Sequence, residues 1–133
     1  AFSLSENGGK SGWIVNGIVN QSLGNRMDEL TACGPNIVRP YGTLENNLIT
    51  LLPDHWNMDT YPVSHLTGGD LSTNLGIFKS LLSGDVPAGL FATVIMNIST
   101  ALWIAKKVLF MSLHILFFFF ISCNYITTIK NKL

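Results

Sequence analysis

Charge is scarce in this chain, and it is balanced where it occurs. Eight Lys and Arg stand against eight Asp and Glu, and charged side chains make up 12% of the 133 residues. No net field steers such a chain to nucleic acid. Its basic residues form no long stripe, with Lys106-Lys107 as the one adjacent pair. Cysteine is scarce too. Cys33 and Cys123 lie far apart in the sequence and read as two free thiols in a reducing compartment rather than a disulfide. No CxxC or Cys/His cluster suggests zinc. A P-loop and a Ser/His/Asp elbow are also missing. The first residues, Ala1 to Gly9, lack a basic start followed by an apolar run, so they do not read as a signal peptide.

Apolar material is what the chain has. Hydrophobic residues make up 47%, enough for a packed core and too many for a disordered chain. Gly12-Trp13-Ile14-Val15-Asn16-Gly17 is an apolar run bounded by glycines and reads as a buried strand. Ile18 to Arg26 is rich in Asn, Gln, Ser and Gly and reads as a loop. Gly34-Pro35 is a turn signal. Ile37-Val38-Arg39 and Leu48 to Leu52 read as two more strands around a polar turn at Glu45-Asn46-Asn47, and Pro53 to Pro62 reads as irregular.

The pattern then becomes helical. Leu71, Leu75, Phe78, Leu81 and Leu82 predict a helix over 71–83, with Asp70 as its N-cap and Gly84 as its stop. A second helix fits Pro87 to Lys107, with the proline in its first turn and a wide apolar face through Ala88, Phe91, Ala92, Ile95, Ile98, Ala101, Leu102 and Ala105. Strands followed by helices predict an α/β or α+β arrangement, of which α/β is the expectation.

Asp28-Glu29 is the one adjacent acidic pair. Two carboxylates after a strand can hold Mg²⁺, which takes hard oxygen ligands and keeps waters and substrate phosphates in its shell. Most such pairs are simply solvated surface. Thr67-Gly68-Gly69-Asp70 opens a helix and could cradle a phosphate, but a turn capped by Asp70 explains it as well. Asn20-Gln21-Ser22 and Asn97-Ile98-Ser99 match the glycosylation sequon, to which little weight attaches without a signal peptide. His55 and His65 stand at no metal-ligand spacing and read as structural or surface residues.

Several segments, taken in order, resemble one family. Trp13 to Gly17, then Met27-Asp28-Glu29-Leu30-Thr31, then Gly34-Pro35-Asn36 resemble a stretch of the anthranilate phosphoribosyltransferases. There a strand leads to G-L-D-E-L and a G-P-T or G-P-N turn. Met27 replaces the usual Leu, and Ile18 to Arg26 is a longer connection. Gly68-Gly69-Asp70, Asn74 and Leu81-Leu82-Ser83-Gly84-Asp85 are similar to the family's G-G-D-x-x-x-N helix and its L-L-x-G-E end. Asn97, Ala101 and Leu102 fall where the family has its N-A-x-x-A-L helix. The resemblance covers Gly12 to Lys107.

The resemblance implies transfer of the 5-phosphoribosyl group from phosphoribosyl pyrophosphate to anthranilate in tryptophan biosynthesis. It implies Mg²⁺ as cofactor, Asp28 and Glu29 as its ligands, and no nucleic-acid partner. The compartment it implies is the cytoplasm, or the plastid in a plant. The fold expected is a partial phosphoribosyltransferase domain over residues 1–107, with a β-sheet and packing helices. The family's glycine-rich loop, its K-H-G-N-R segment, most of its anthranilate contacts and its homodimer interface have no counterpart in this sequence. The chain by itself is therefore expected to be inactive. Pyrimidine nucleoside phosphorylases share the architecture, but Met27 to Leu30 followed by Gly34-Pro35 argues for the transferase.

Residues 108–133 do not follow the family pattern. Val108 to Ile126 is an apolar tail with four consecutive Phe, Phe117 to Phe120, flanked by lysines. At about 19 residues it is long enough to span a hydrocarbon core. It is either a membrane anchor or an unselected end, and its composition favours the second. The alternative to a transferase part is an inactive degenerate fragment or a small membrane-anchored binding module.

Overall fold

The structure, a computed structural model, describes residues 10–20, 24–44 and 47–106. The apolar tail and most of the polar turn at Glu45-Asn46-Asn47 lie outside the described residues. Strand β1 (Ser11–Asn20) lies between β2 (Asn25–Met27) and β3 (Asn36–Gly42), and β4 (Ile49–Leu51) pairs with the far side of β3. All pairings are antiparallel, in the order β2-β1-β3-β4. Two helices follow, α1 (Leu71–Ser83) and α2 (Ala88–Ile104).

Of the segment read as a loop over Ile18 to Arg26, residues 18–20 and 25–26 are instead paired antiparallel strand. β1 runs on to Asn20, and the chain returns with Gly17 opposite Met27 and Ile18 opposite Arg26. Arg26 donates to the Asn16 Oδ1 at 2.7 Å across the ladder. The longer connection is therefore taken up by extending the sheet.

β3 alternates as a half-buried strand should, with Asn36, Val38 and Pro40 inward and Arg39 exposed. Pro40 is tolerated for a reason visible in the register. The bonds from Thr43 N–H to Lys10 and from Ile18 N–H to Pro35 mark every second β1/β3 pair as hydrogen-bonded. Pro40, opposite Trp13, falls on a pair between them, so its nitrogen faces away from β1. On that side β4 reaches only to Val38. The proline sits where the strand has become an edge.

The core gathers Leu30, Ala32, Val38, Trp56, Ala92 and Met96, with Trp13 and Val15 from β1 packed against them. Trp56 ends a 3₁₀ turn, Pro53–Trp56, in the stretch read as irregular, and donates its indole N–H to the Thr100 hydroxyl at 3.0 Å. Trp13 and Trp103 bring their rings to 5.3 Å, centroid to centroid, at 57°.

α1 starts and stops where local chemistry says it should. The Asp70 carboxylate accepts from Thr73 N–H at 2.8 Å, and Gly84 closes the helix at φ +77°, a conformation that glycine adopts without strain. α2 buries part of the expected face, Ala92 and Ile95, together with residues outside it. Gly89, Ala92, Thr93, Ile95, Met96, Ser99 and Thr100 are buried, whereas Ala88 and Ala101 are exposed. The small and hydroxyl-bearing side chains face inward because the backbone around Leu30 and the Trp56 turn approach α2 closely and need hydrogen-bond partners.

Candidate functional site

Asp28 and Glu29 follow β2 directly, and both are exposed. Among the described residues no ion pair or hydrogen bond engages either carboxylate. The chain then dives. Leu30 is 1% exposed, and Thr31 and Ala32 are fully buried. Two exposed acids are thus followed immediately by a deeply buried turn.

Buried backbone must find partners, because an unpaired peptide group away from water costs about 1–3 kcal/mol. Here the partners come from far along the chain. Asn97 on α2 accepts from Leu30 N–H at 3.1 Å and donates to the Leu30 carbonyl at 2.8 Å. Thr93, one helical turn earlier, accepts from Ala32 N–H at 3.0 Å. Tyr61 N–H donates to the Ala32 carbonyl at 2.9 Å. Asn36 closes the turn from inside, accepting from Thr31 N–H at 2.7 Å and donating to the carbonyls of Thr31 (3.0 Å) and Gly34 (3.1 Å). Gly17 lets β1 lie beneath: a Cβ there would stand 2.6 Å from the Glu29 carbonyl oxygen and 2.7 Å from the Thr31 methyl.

The donor set suits a hard cation. Two adjacent carboxylates, both open to solvent, supply oxygen ligands, and Mg²⁺ typically takes one or two carboxylates and completes its shell with water and phosphate oxygens. Among the described residues no three His, Cys, Asp or Glu side chains group to hold a metal by themselves. A cation at Asp28 and Glu29 would therefore rely on oxygens from outside these residues. Two clefts lie elsewhere. One of about 350 Å³ opens between α1, the start of α2 and the 3₁₀ turn Val63–Leu66, and one of about 480 Å³ opens beside Cys33 and Asp59. Asp28 and Glu29 are in the wall of neither.

The glycine-rich turn before α1 is a capped turn. Asn74 accepts from Gly69 N–H and donates to the Gly69 carbonyl, each at 2.9 Å, so the amide that would greet a phosphate is already engaged. His65 accepts from Gly89 N–H at 3.1 Å at the start of α2, and the His55 ring lies 3.0 Å from the Asp54 carboxylate. Both histidines are structural or surface groups, as their spacing implied. Asn97 of the second sequon is occupied by Leu30 and does not present its amide for modification. Cys33 is a free thiol, and Cys123 lies outside the described residues.

Sequence reasoning found the acids and missed what supports them. In the sequence Asn97 stands out as part of a sequon and of the family's N-A helix, neither of which points to Leu30, and nothing singles out Thr93. The available signal was a pair of hydrogen-bonding side chains one turn apart, Thr93 and Asn97, in a helix whose other polar residues are Ser99 and Thr100.

Comparison with known proteins agrees with the residue-level reading. The chain is 35% identical over 82 residues to the anthranilate phosphoribosyltransferase of Listeria monocytogenes serotype 4a, covering 62% of this chain and 24% of the relative. It is 32% identical over 105 residues to the enzyme of that name from Paramagnetospirillum magneticum, covering 79% of this chain and 28% of the relative. The crystal structure of anthranilate phosphoribosyltransferase from Thermus thermophilus matches with a TM-score of 0.65 and 25% identity, over 80% of this chain and 29% of that one. No protein-family model matches the chain. The chain spans about a quarter of the length of these relatives. Its four-stranded sheet and two helices form a partial α/β fold of the anthranilate phosphoribosyltransferase type, and its sequence is similar to that family's.

Proposed function

We propose that this chain supplies the metal-holding segment of an anthranilate phosphoribosyltransferase, with Asp28 and Glu29 as Mg²⁺ ligands. The reaction is transfer of the 5-phosphoribosyl group from phosphoribosyl pyrophosphate to the nitrogen of anthranilate, with release of pyrophosphate. The observation that carries the reading is the placement of two exposed, unpartnered carboxylates on a backbone fixed immediately beyond them. Asp28 and Glu29 would hold Mg²⁺ there, and the ion would supply positive charge to offset the negative charge developing on the leaving pyrophosphate. The chain's own part is to present two hard oxygen donors at a defined spot. Exposure leaves the remaining coordination positions open to water and phosphate oxygens. The glycine-rich loop and the acceptor contacts typical of the family lie outside the residues of this sequence.

The test is phosphoribosylanthranilate formation, followed by loss of anthranilate fluorescence. It is run with this chain alone and with the remaining part of a relative supplied in trans. Activity only in the second arrangement supports the proposal. A folded chain inactive in both overturns it in favour of a degenerate fragment. In the active pair, Asp28→Asn with Glu29→Gln abolishes Mg²⁺-dependent turnover and leaves the fold intact. Unchanged turnover at limiting Mg²⁺ removes the metal assignment.

A further inference from the structure

We infer that Asn97 is a positioning residue for the acidic pair, acting across the fold through the Leu30 peptide, with Thr93 as its second. The inference rests on the metal reading above and extends it to residues that touch no ligand themselves. The span from β2 to the buried turn leaves just two residues, Asp28 and Glu29, without cross-chain backbone support. On one side Met27 is paired with Gly17 of β1. On the other, Leu30 is gripped at both its N–H and its carbonyl by one carboxamide.

That grip is specific to asparagine. Its Oδ1 accepts once, and its two Nδ2 hydrogens go to Leu30 O and to Thr93 O, each at 2.8 Å. The second hydrogen bond fixes the side chain to its own helix, so the position of α2 is transmitted to Leu30. The Leu30 N–H belongs to the peptide plane that begins at the Glu29 carbonyl. Holding that N–H holds the rotation that aims the Glu29 side chain. The Thr93 hydroxyl repeats the arrangement at Ala32 N–H. Cation affinity rises when ligands are held in place before binding, because less motion remains to be frozen.

A purely structural role predicts something different. Thr100 stands further along the same helix and bonds the buried Trp56 indole, away from the acids. Removing either Asn97 or Thr100 destabilises the fold, but Asn97 bonds the peptide that follows Glu29, whereas Thr100 bonds the Trp56 indole. The comparison therefore separates positioning from stability.

The experiment uses the full chain labelled with nitrogen-15, and Mn²⁺ as a paramagnetic hard cation. Wild type shows Mn²⁺ broadening of the Asp28 and Glu29 amides and slow exchange of the Leu30 amide. Asn97→Ala raises the Mn²⁺ Kd about tenfold, in the range of supporting residues around metal ligands, and exposes the Leu30 amide to exchange. Thr93→Val, which keeps the side-chain shape and tests the idea if the alanine variant does not fold, weakens Mn²⁺ binding by up to roughly tenfold, the low end for such supporting residues. Thr100→Val lowers Tm and leaves the Kd unchanged. An unchanged Kd in both the Asn97 and Thr93 variants overturns the inference while the metal reading stands. Equal weakening by Thr100→Val also overturns it, since general destabilisation would then explain the loss. A wild-type chain whose Asp28 and Glu29 amides ignore Mn²⁺ overturns the metal reading, and the inference with it.

Discussion

α1 and α2 are separated only by the stretch from Gly84 to Pro87, yet they relate to the rest of the molecule in opposite ways. α2 buries Ala92, Met96 and a set of hydroxyl-bearing side chains that bond the Leu30–Ala32 backbone and the Trp56 indole. α1 buries nothing. Its apolar stripe of Leu71, Leu75, Phe78 and Leu82 is 86, 52, 56 and 53% exposed. Amphipathic spacing shows that a helix has an apolar face, and it does not say what covers that face. Among the described residues nothing does. α2 holds the candidate site, while α1 is kept as a helix mainly by its ends.

Deletions on the two helices break this contrast most directly. Met96→Ala removes a side chain with no exposed surface and lowers unfolding free energy by about 2–5 kcal/mol in denaturant titration. A loss near zero would mean that α2 is not the packed helix. Gly17→Ala drives a methyl against the Glu29 carbonyl and Thr31. Its expected loss is about 1–3 kcal/mol, with shifted amide resonances at Asp28 and Glu29. Leu75→Ala on α1 changes stability by only about 0.5 kcal/mol. A loss as large as that of Met96→Ala would show that something covers the stripe.

The smallest effect is expected at the α1 cap. The hydrogen bonds from the Thr73 N–H and hydroxyl hold the Asp70 carboxyl below its ordinary value of 3.8. Because the folded-state value is the lower one, the cap contributes fully above pH 3.8, and its contribution fades as pH falls through the lowered value. Amide exchange at Thr73, taken relative to unstructured peptide at the same pH, should therefore quicken below about pH 4, while the relative rate at Ala92 on α2 shows no matching change. Equal quickening at both would place the acid sensitivity elsewhere.

The same contrast explains what could be read from the amino acids. α1 was legible from end to end because Asp70 and Gly84 act within a few residues of themselves. The centres of β1, β3 and β4 were legible from their apolar runs. The β1–β2 hairpin was not, since its pairing is set by Gly17 meeting Met27 rather than by composition. The acidic pair was visible as a pair. Its support was invisible because Asn97 meets Leu30, and Thr93 meets Ala32, across most of the described chain. The polar members of the inward face of α2 are hidden for the same reason, although Ala92 and Ile95 are buried as expected. An apolar count favours Ile98 and Leu102, while the backbone that α2 covers calls for threonine and asparagine.

The tilted indoles of Trp13 and Trp103 have an optical consequence. Two coupled chromophores held at a fixed angle give an exciton couplet in circular dichroism, and here the couplet exists only while the end of α2 rests on β1. The chain thus carries an unlabelled reporter for the docking of the helix that holds Leu30. Loss of the couplet before loss of helical signal would reveal α2 leaving the sheet while still coiled.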